Sequence, residues 1–221
     1  MKILLSAKPS LTEATVVAVF ENETPEKSLL GNDLQKLVLH HLKQKTFKAE
    51  NGESLSTHLY TGKHARKVLL VGLGKSKDWD AKKSRNAAGR IIKAAKSLKE
   101  KNIAFVFPKA FEKFLQETAE GLTMGNYDPA IYKTGEDKKK LEEGAIDQTT
   151  IHFSHSSKEL LEMIEKGQTI AAAVNDIRHL VNRGPNLLNS EALMKEAKKV
   201  AKENGYRFTD FSKSKLEKMG M

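Results

Sequence analysis

The sequence predicts an α/β fold in which helices cover both faces of a mixed, largely parallel sheet. Two continuous apolar runs, residues 68–71 and 103–107, are typical of inner strands that are buried on both faces. Between and after these runs, apolar residues recur at three- and four-residue spacing, which is typical of amphipathic helices. Because strands alternate with helices along the chain, the pattern favours a layered α/β domain with a largely parallel central sheet.

The first half of the chain supplies three further predicted strands and two helices. A short apolar run before Pro9 predicts the first strand, and the β-branched run over residues 14–20 predicts a buried second strand. Alternation over residues 55–60 predicts a half-exposed strand. The apolar stripe of the first helix is Leu30, Leu34, Leu37, Val38 and Leu42, and that of the second is Ala88, Ile91, Ile92, Ala95 and Leu98.

The second half continues the alternation after Pro108, which ends the run over residues 103–107. Phe111, Phe114, Leu115, Ala119 and Leu122 define the next helix. The polar stretch 126–144 contains a run of charges and predicts a mobile loop. The remaining predicted elements are a strand over 145–153, a long helix from Glu159, a short strand over 207–211 and a helical turn or two over 213–219.

The most informative stretch, residues 171–204, predicts a helix, a sharp break and a second helix. Gly184-Pro185 ends the first helix because Pro lacks an N–H and disfavours helical geometry at the residue before it. Ser190 is expected to cap the second helix, and Gly205 is expected to end it.

Four segments, taken in order, resemble the leucyl aminopeptidases, the M17 metallopeptidase family. Residues 181–188 resemble the entry to the catalytic domain of that family, which typically reads Val-Asn-Thr-Pro-Pro-Asn; here Gly184 replaces the first Pro. Residues 215–221 loosely match the Lys-Leu-Gly-Met-like end of the segment that follows. Residues 67–75 and 120–127 resemble parts of the family's amino-terminal domain.

The resemblance implies three parts: a macro-domain-like, three-layer amino-terminal domain over residues 1–158, a connector helix over 159–183, and the start of the catalytic domain over 184–221. In the family, the metal ligands and the catalytic Lys and Arg lie downstream of the position that Met221 matches. We therefore expect this chain to be the non-catalytic amino-terminal portion of such an enzyme, and we assign no catalytic, cofactor-binding or metal-binding residue.

For a complete member, the resemblance implies removal of amino-terminal residues from peptides by two divalent metal ions, Mn²⁺ or Zn²⁺, that activate water. It also implies a homo-oligomer, a hexamer, in the cytoplasm. The 221 residues alone are expected to lack peptidase activity, to contain no cofactor, and to serve as a scaffold in the oligomer.

Composition limits the possible classes of protein. The chain has no cysteine, which excludes disulfides, zinc–thiolate sites and a cysteine nucleophile, and fits a reducing cytoplasm. Charged residues are 30% and hydrophobic ones 39%, as in soluble globular proteins. No apolar run approaches the ~18 residues that a membrane span needs, so no membrane partner is expected.

Two binding functions remain open as alternatives. The net charge of +10 permits DNA binding, although the excess is almost all Lys, which attracts phosphate without reading bases. The turn 72–75, Gly-Leu-Gly-Lys, follows a buried strand and could bind the phosphates of ADP-ribose or another nucleotide. It lacks a third glycine and a Walker Gly-Lys-Ser/Thr, so a simple link from strand to helix is the competing interpretation.

Isolated polar pairs give no recognisable active site. His40 and His41 are adjacent on a predicted helix and should face apart, which favours capping or exposure over a metal pair. His152 and His155 lie three apart on a predicted strand and should face opposite sides. Asp176 and Arg178 either hold a domain interface or form a plain surface pair, and His58, His64 and His179 are isolated.

Overall fold

The computed structural model describes residues 1–8, 14–62, 64–129 and 133–221, so Pro9 and part of the predicted loop at 126–144 lie outside the described residues. The chain divides into two compact units, Met1–Asn175 and Asp176–Met221. The first unit contains the strands β1 Lys2–Ser6, β2 Ala14–Val19, β3 Ser54–Thr61, β4 His64–Gly72, β5 Asn102–Val106 and β6 Gln148–His152.

The helices of the first unit are α1 Lys27–Lys43, α2 Ala81–Ala95, α3 Leu115–Asn126, α4 Gly135–Gly144 and most of α5 Lys158–Val181, with 3₁₀ helices at Lys96–Leu98 and Lys109–Phe114. The second unit contains the end of α5 together with α6 Ser190–Glu203 and α7 Lys213–Lys218. None of the helices in the described ranges is long and apolar enough to cross a membrane.

The six strands form one sheet in the order β1-β6-β5-β2-β4-β3. All neighbours are parallel except β3 and β4, which form an antiparallel hairpin at one edge. The centre of the sheet is β2, in which Val16 lies opposite Leu69 of β4 and Phe105 of β5. The predicted mixed, largely parallel sheet is therefore confirmed.

Alternating residues of β2 build two separate cores, one on each face of the sheet. Val16 and Ala18 belong to a core that includes residues of α2, α3 and α5, whereas Val17 and Val19 belong to a core formed with α1. Successive side chains of a strand point to opposite faces of the sheet, and both faces of β2 are covered by helices, so the whole strand is buried. The first unit is thus a three-layer α/β/α domain, as the resemblance implied.

Glycines allow the helices on the larger core to pack closely. A Cβ atom at Gly121 of α3 would lie 2.2 Å from the Arg85 carbonyl oxygen of α2, and one at Gly125 would lie 2.7 Å from the Gly89 carbonyl oxygen. Gly167 of α5 makes a similar approach to α3, 2.3 Å from the carbonyl oxygen of Gln116. Any larger side chain at these three positions would force the helix backbones apart.

The predicted loop over residues 126–144 is wrong in its second half, which forms α4. The charges that suggested a loop belong to good helix-forming residues. Glu136 and Asp137 lie in the first turn, where negative charge interacts favourably with the helix dipole, and Lys138 pairs with Glu142 at 3.9 Å.

Two predictions for the second unit are corrected. Residues 207–211 form no strand in the described structure. The cap of α6 is Asn189 rather than Ser190, since its side-chain oxygen accepts a hydrogen bond from the Ala192 N–H at 2.9 Å. Gly205 ends the helix with φ of +70°, as predicted.

Candidate functional site

The glycine turn after β4 is a structural junction. The backbone N–H groups of Gly72, Leu73 and Gly74 donate to the carbonyl oxygens of Glu53, Val19 and Ala49 at 2.8, 2.9 and 2.9 Å. A Cβ atom at Gly72 would lie 2.1 Å from the Glu50 carbonyl oxygen, so only glycine permits this approach. Because the three amides are already used, the turn cannot cradle a phosphate in the manner of a phosphate-binding loop.

A cleft of about 380 Å³ lies beside this turn and contains the cations Lys75, Lys83 and Arg90. Two of them already have partners: the Lys83 ammonium donates to the Asp78 carbonyl oxygen at 2.6 Å, and Arg90 donates at 2.8 Å to the side-chain oxygen of Asn51, which also lines the cleft. All three side chains are exposed. The cleft is therefore an open surface in which two of the three cations already have hydrogen-bond partners.

A second depression lies where β2 and β5 end, at the position where ligands usually bind in open α/β sheets. The helices that follow these neighbouring strands pack on opposite faces, which opens a crevice between the strand ends. It encloses about 170 Å³, whereas pockets for ligands usually measure about 300–1,000 Å³. Its lining includes two carboxylates, Glu23 and Glu26, and one cation, Lys109, so its charge does not favour a phosphate. The crevice does not match a nucleotide site.

The histidine pairs do not form a metal centre. His41 interacts with the Thr46 hydroxyl at 2.9 Å near the end of α1, and the neighbouring His40 ring centroid lies 5.6 Å away. Burial, with a smaller contribution from the charge of His40, lowers the pKa of His41.

His152 lies in β6 and is buried. His155 lies beyond the end of that strand, contrary to the prediction, and its Nε2 is 3.8 Å from Glu112 Oε1. Among residues 1–8, 14–62, 64–129 and 133–221, no three His, Asp or Glu side chains come close enough together to hold a metal ion.

The break after α5 is a compact elbow in the second unit. The N–H groups of Leu187 and Leu188 both donate to the Gly184 carbonyl oxygen, at 2.8 and 2.9 Å. Arg183 reaches Glu196 of α6 with an N–O distance of 2.8 Å, and this bond lowers the pKa of the Glu196 carboxyl. The helix–break–helix prediction is confirmed, and Asp176 and Arg178 are exposed residues of α5.

Comparison with known proteins places these features in one family. The sequence model described as "Cytosol aminopeptidase family, N-terminal domain" matches residues 16–136, which is more than half of the chain. The chain belongs to this family. The match covers β2 through the start of α4 and therefore includes the glycine junction, the closely packed α2 and α3, and the sheet centre.

Curated members of the cytosol aminopeptidase family align over the whole chain. A probable cytosol aminopeptidase of Solibacter usitatus (strain Ellin6076) is 28% identical and covers 100% of this chain and 44% of that protein. One from Sulfurihydrogenibium sp. (strain YO3AOP1) is 31% identical and covers 100% of this chain and 45% of its own length. The chain thus spans about half the length of the curated relatives it matches.

Solved structures share the fold of this family member. A mutant of tomato leucine aminopeptidase superposes with a TM-score of 0.77 at 19% identity, covering 100% of this chain and 46% of that one. The bottromycin maturation enzyme BotP in complex with Mn gives a TM-score of 0.69 at 17% identity, covering 97% and 40%. These comparisons do not favour the nucleic-acid or ADP-ribose alternatives.

The contact between α2 and α3 gives a structural role to residues of the segment 120–127. In the segment 120–127, the buried Glu120 carboxylate forms an ion pair with Arg85 of α2, and Gly121 and Gly125 form the close contact with α2. The sequence signal for this helix contact is the pair Gly121 and Gly125, which lie four residues apart on one helix and therefore on the same helix face. The sequence alone indicates only a family resemblance at this stretch, because the partner helix is not visible in a linear pattern.

Proposed function

We propose that this chain forms the non-catalytic amino-terminal part of a metal-dependent aminopeptidase. The observation that carries the proposal is the match of the family's N-terminal domain to residues 16–136. Its support is that two curated relatives, named probable cytosol aminopeptidases, cover the whole chain with less than half of their own length. The proposed activity of the complete protein is the removal of amino-terminal residues from peptides in the cytoplasm.

The two divalent ions implied by the family resemblance do not fit the described residues. In the described ranges no three His, Asp or Glu side chains meet, and the chain has no cysteine to supply thiolate ligands. One solved structure with the same fold is named as a complex with Mn. We therefore derive no hydrolytic step from these residues, and assign the Mn²⁺ or Zn²⁺ chemistry of the proposed enzyme to parts of it that lie outside this chain.

The proposed role of the chain itself is that of a scaffold within a homo-oligomer, a hexamer in the complete enzyme. Two features support a scaffold. The first unit has continuous cores on both faces of its sheet, and so has the buried apolar surface of an independently folding domain. In the second unit, hydrogen bonds to Gly184 and the Arg183–Glu196 pair hold the elbow in one conformation.

A peptidase assay on the purified chain tests the proposal. The chain is incubated with a leucine amide substrate and Mn²⁺ or Zn²⁺, next to a curated full-length relative as the positive control. We expect hydrolysis by the relative, abolished by a chelator, and none by this chain. Metal-dependent hydrolysis that copurifies with the chain through two chromatographic steps would overturn the non-catalytic assignment.

A further inference from the structure

The strand β3 is an unprotected edge of the sheet. It is the last strand in the sheet order, and among the described strands it pairs only with β4. Its eight residues, SLSTHLYT, contain no proline and no lysine, the residues that most often protect strand edges. Tyr60 on this strand is 73% exposed, and Ser54, Ser56 and His58 are exposed as well.

The hydrogen-bonding direction of each β3 residue follows from the hairpin. Gly72 donates to the Glu53 carbonyl oxygen at 2.8 Å, so position 53 faces β4. Because bonding directions alternate along an antiparallel strand, Leu55, Thr57 and Leu59 also face β4. The backbone N–H and C=O groups of Ser54, Ser56, His58 and Tyr60 therefore point away from the sheet.

We propose that β3 pairs with β3 of a second copy of this chain, in antiparallel orientation about a two-fold axis at Thr57. In this register Ser56 lies opposite the partner's His58, and Ser54 lies opposite the partner's Tyr60. All four outward-facing residues are used, and each of the four pairs exchanges two hydrogen bonds, which gives about eight bonds across the axis. The result is one continuous sheet through both copies.

The side chains of β3 are compatible with this register on both faces. On the face that carries α1, Thr57 lies opposite the partner's Thr57, and Leu55 lies opposite the partner's Leu59. On the other face, small serines lie opposite the large rings of His58 and Tyr60, whose centroids are 6.4 Å apart within one strand. No like charges are directly opposed, so the strand is complementary to itself.

This self-complementarity favours a second copy over an unrelated extended peptide. An isologous contact uses the same patch twice, and a two-fold axis closes the assembly at a dimer. A shift of the axis by one position, to Ser56 or His58, leaves outward-facing residues at one end of each strand without a partner. The proposed pairing does not depend on the proposed role in a peptidase. Dimerisation through β3 and peptidase activity are measured separately, and either result can be obtained without the other.

Cross-linking at the axis tests both the contact and its register. The chain has no cysteine, so Thr57→Cys introduces one thiol per copy. Residues at a non-hydrogen-bonded position of an antiparallel pair have Cα atoms about 4.5 Å apart, within the span of a disulfide. We expect mild oxidation to convert Thr57→Cys to a covalent dimer. Tyr60→Cys should remain monomeric on denaturing gels, because its two copies would lie about 20 Å apart.

Sedimentation velocity provides the matched non-covalent test. Ser56→Pro removes an outward N–H without touching the β4 ladder, whereas Ser56→Ala changes only the side chain. We expect Ser56→Ala to dimerise like the unmodified chain and Ser56→Pro to weaken dimerisation by about tenfold or more, through two lost hydrogen bonds and a ring clash. Circular dichroism confirms that each variant is folded.

A chain that stays monomeric at every concentration reached would overturn the proposal. So would a dimer that Ser56→Pro leaves intact, or one in which Thr57→Cys does not cross-link while Ser56→Cys or His58→Cys does. Cross-linking of Thr57→Cys together with loss of the dimer in Ser56→Pro would establish the contact.

Discussion

The guanidinium of Arg85 on α2 donates to the carboxylate of Glu120 on α3, with Nε 2.6 Å from Oε2. Glu120 is only 3% exposed, and its other oxygen accepts a hydrogen bond from the Gln116 side chain at 3.0 Å. A buried carboxylate that is paired in this way depends on its partner, because removal of the cation leaves a charge with little access to water. The pair therefore links α2 to α3 at a buried carboxylate.

Arg85→Ala is expected to lower the free energy of unfolding by about 2 kcal/mol, the usual scale for a hydrogen bond to a charged group. The Arg85 side chain is 37% exposed, so water screens part of the interaction and a larger loss is not expected. Urea denaturation provides the measurement. Lys82→Ala, at an exposed position of the same helix, is the control and should change stability by less than about 0.5 kcal/mol.

The close contact of α2 and α3 predicts opposite outcomes for two glycines. Gly121→Ala places a Cβ atom 2.2 Å from a backbone oxygen that cannot move independently, so we expect a loss of about 2 kcal/mol or more. Gly89→Ala meets its nearest atom at 3.5 Å, an ordinary contact, and should gain up to about 1 kcal/mol from helix propensity. Equal effects of the two substitutions in thermal denaturation would contradict this packing.

The sequence was most informative where one residue determines its own local structure. Gly184-Pro185 ended a helix and Gly205 ended the next, because both act through backbone geometry that no neighbour can override. The buried runs at β4 and β5 were equally clear, since continuous apolarity indicates cover on both faces.

What could not be predicted depends on residues distant in sequence. The glycine turn at 72–75 gave the pattern of a phosphate loop, and only the position of Glu53, Val19 and Ala49 shows that its amides are already bonded. The failed strand at 207–211 has the composition of a strand and lacks a partner in its own unit. Local sequence propensity cannot predict the bonded amides or the missing strand, because both depend on residues that are neighbours only in the folded structure.

His152 is expected to make the fold sensitive to acid. His152 is only 2% exposed, and its pKa is lowered mainly by this burial. The positive charge of Arg66 also lowers the pKa, whereas backbone groups of Lys8 and Ser6 raise it by less than burial lowers it. An unfolded histidine titrates near about 6.5. As pH falls through that value, the unfolded chain binds a proton that the folded chain does not, so stability decreases until the lower folded-state pKa is reached.

Denaturation at a series of pH values between about 7 and 5 checks this prediction. His152→Leu should remove one part of the loss of stability at acidic pH, even if its stability at neutral pH is lower. Gln148→Leu, at a partly buried position of the same strand that carries no titratable group, should keep the profile of the unmodified chain. Identical pH profiles for His152→Leu and the unmodified chain would show that His152 does not contribute.

Comparing Asn189→Ala with Ser190→Ala tests whether the N-cap of α6 is Asn189, as observed, or Ser190, as the sequence predicts. The Asn189 side chain accepts a hydrogen bond from the Ala192 N–H, and its loss leaves that amide without a partner in the first turn, at a cost of about 1 kcal/mol. Ser190 is the first residue of the helix, so Ser190→Ala should be neutral or slightly stabilising. Amide hydrogen exchange at Ala192 and Leu193 measures the first turn directly. Faster exchange in Asn189→Ala but not in Ser190→Ala is expected, and the reverse order would restore Ser190 as the cap.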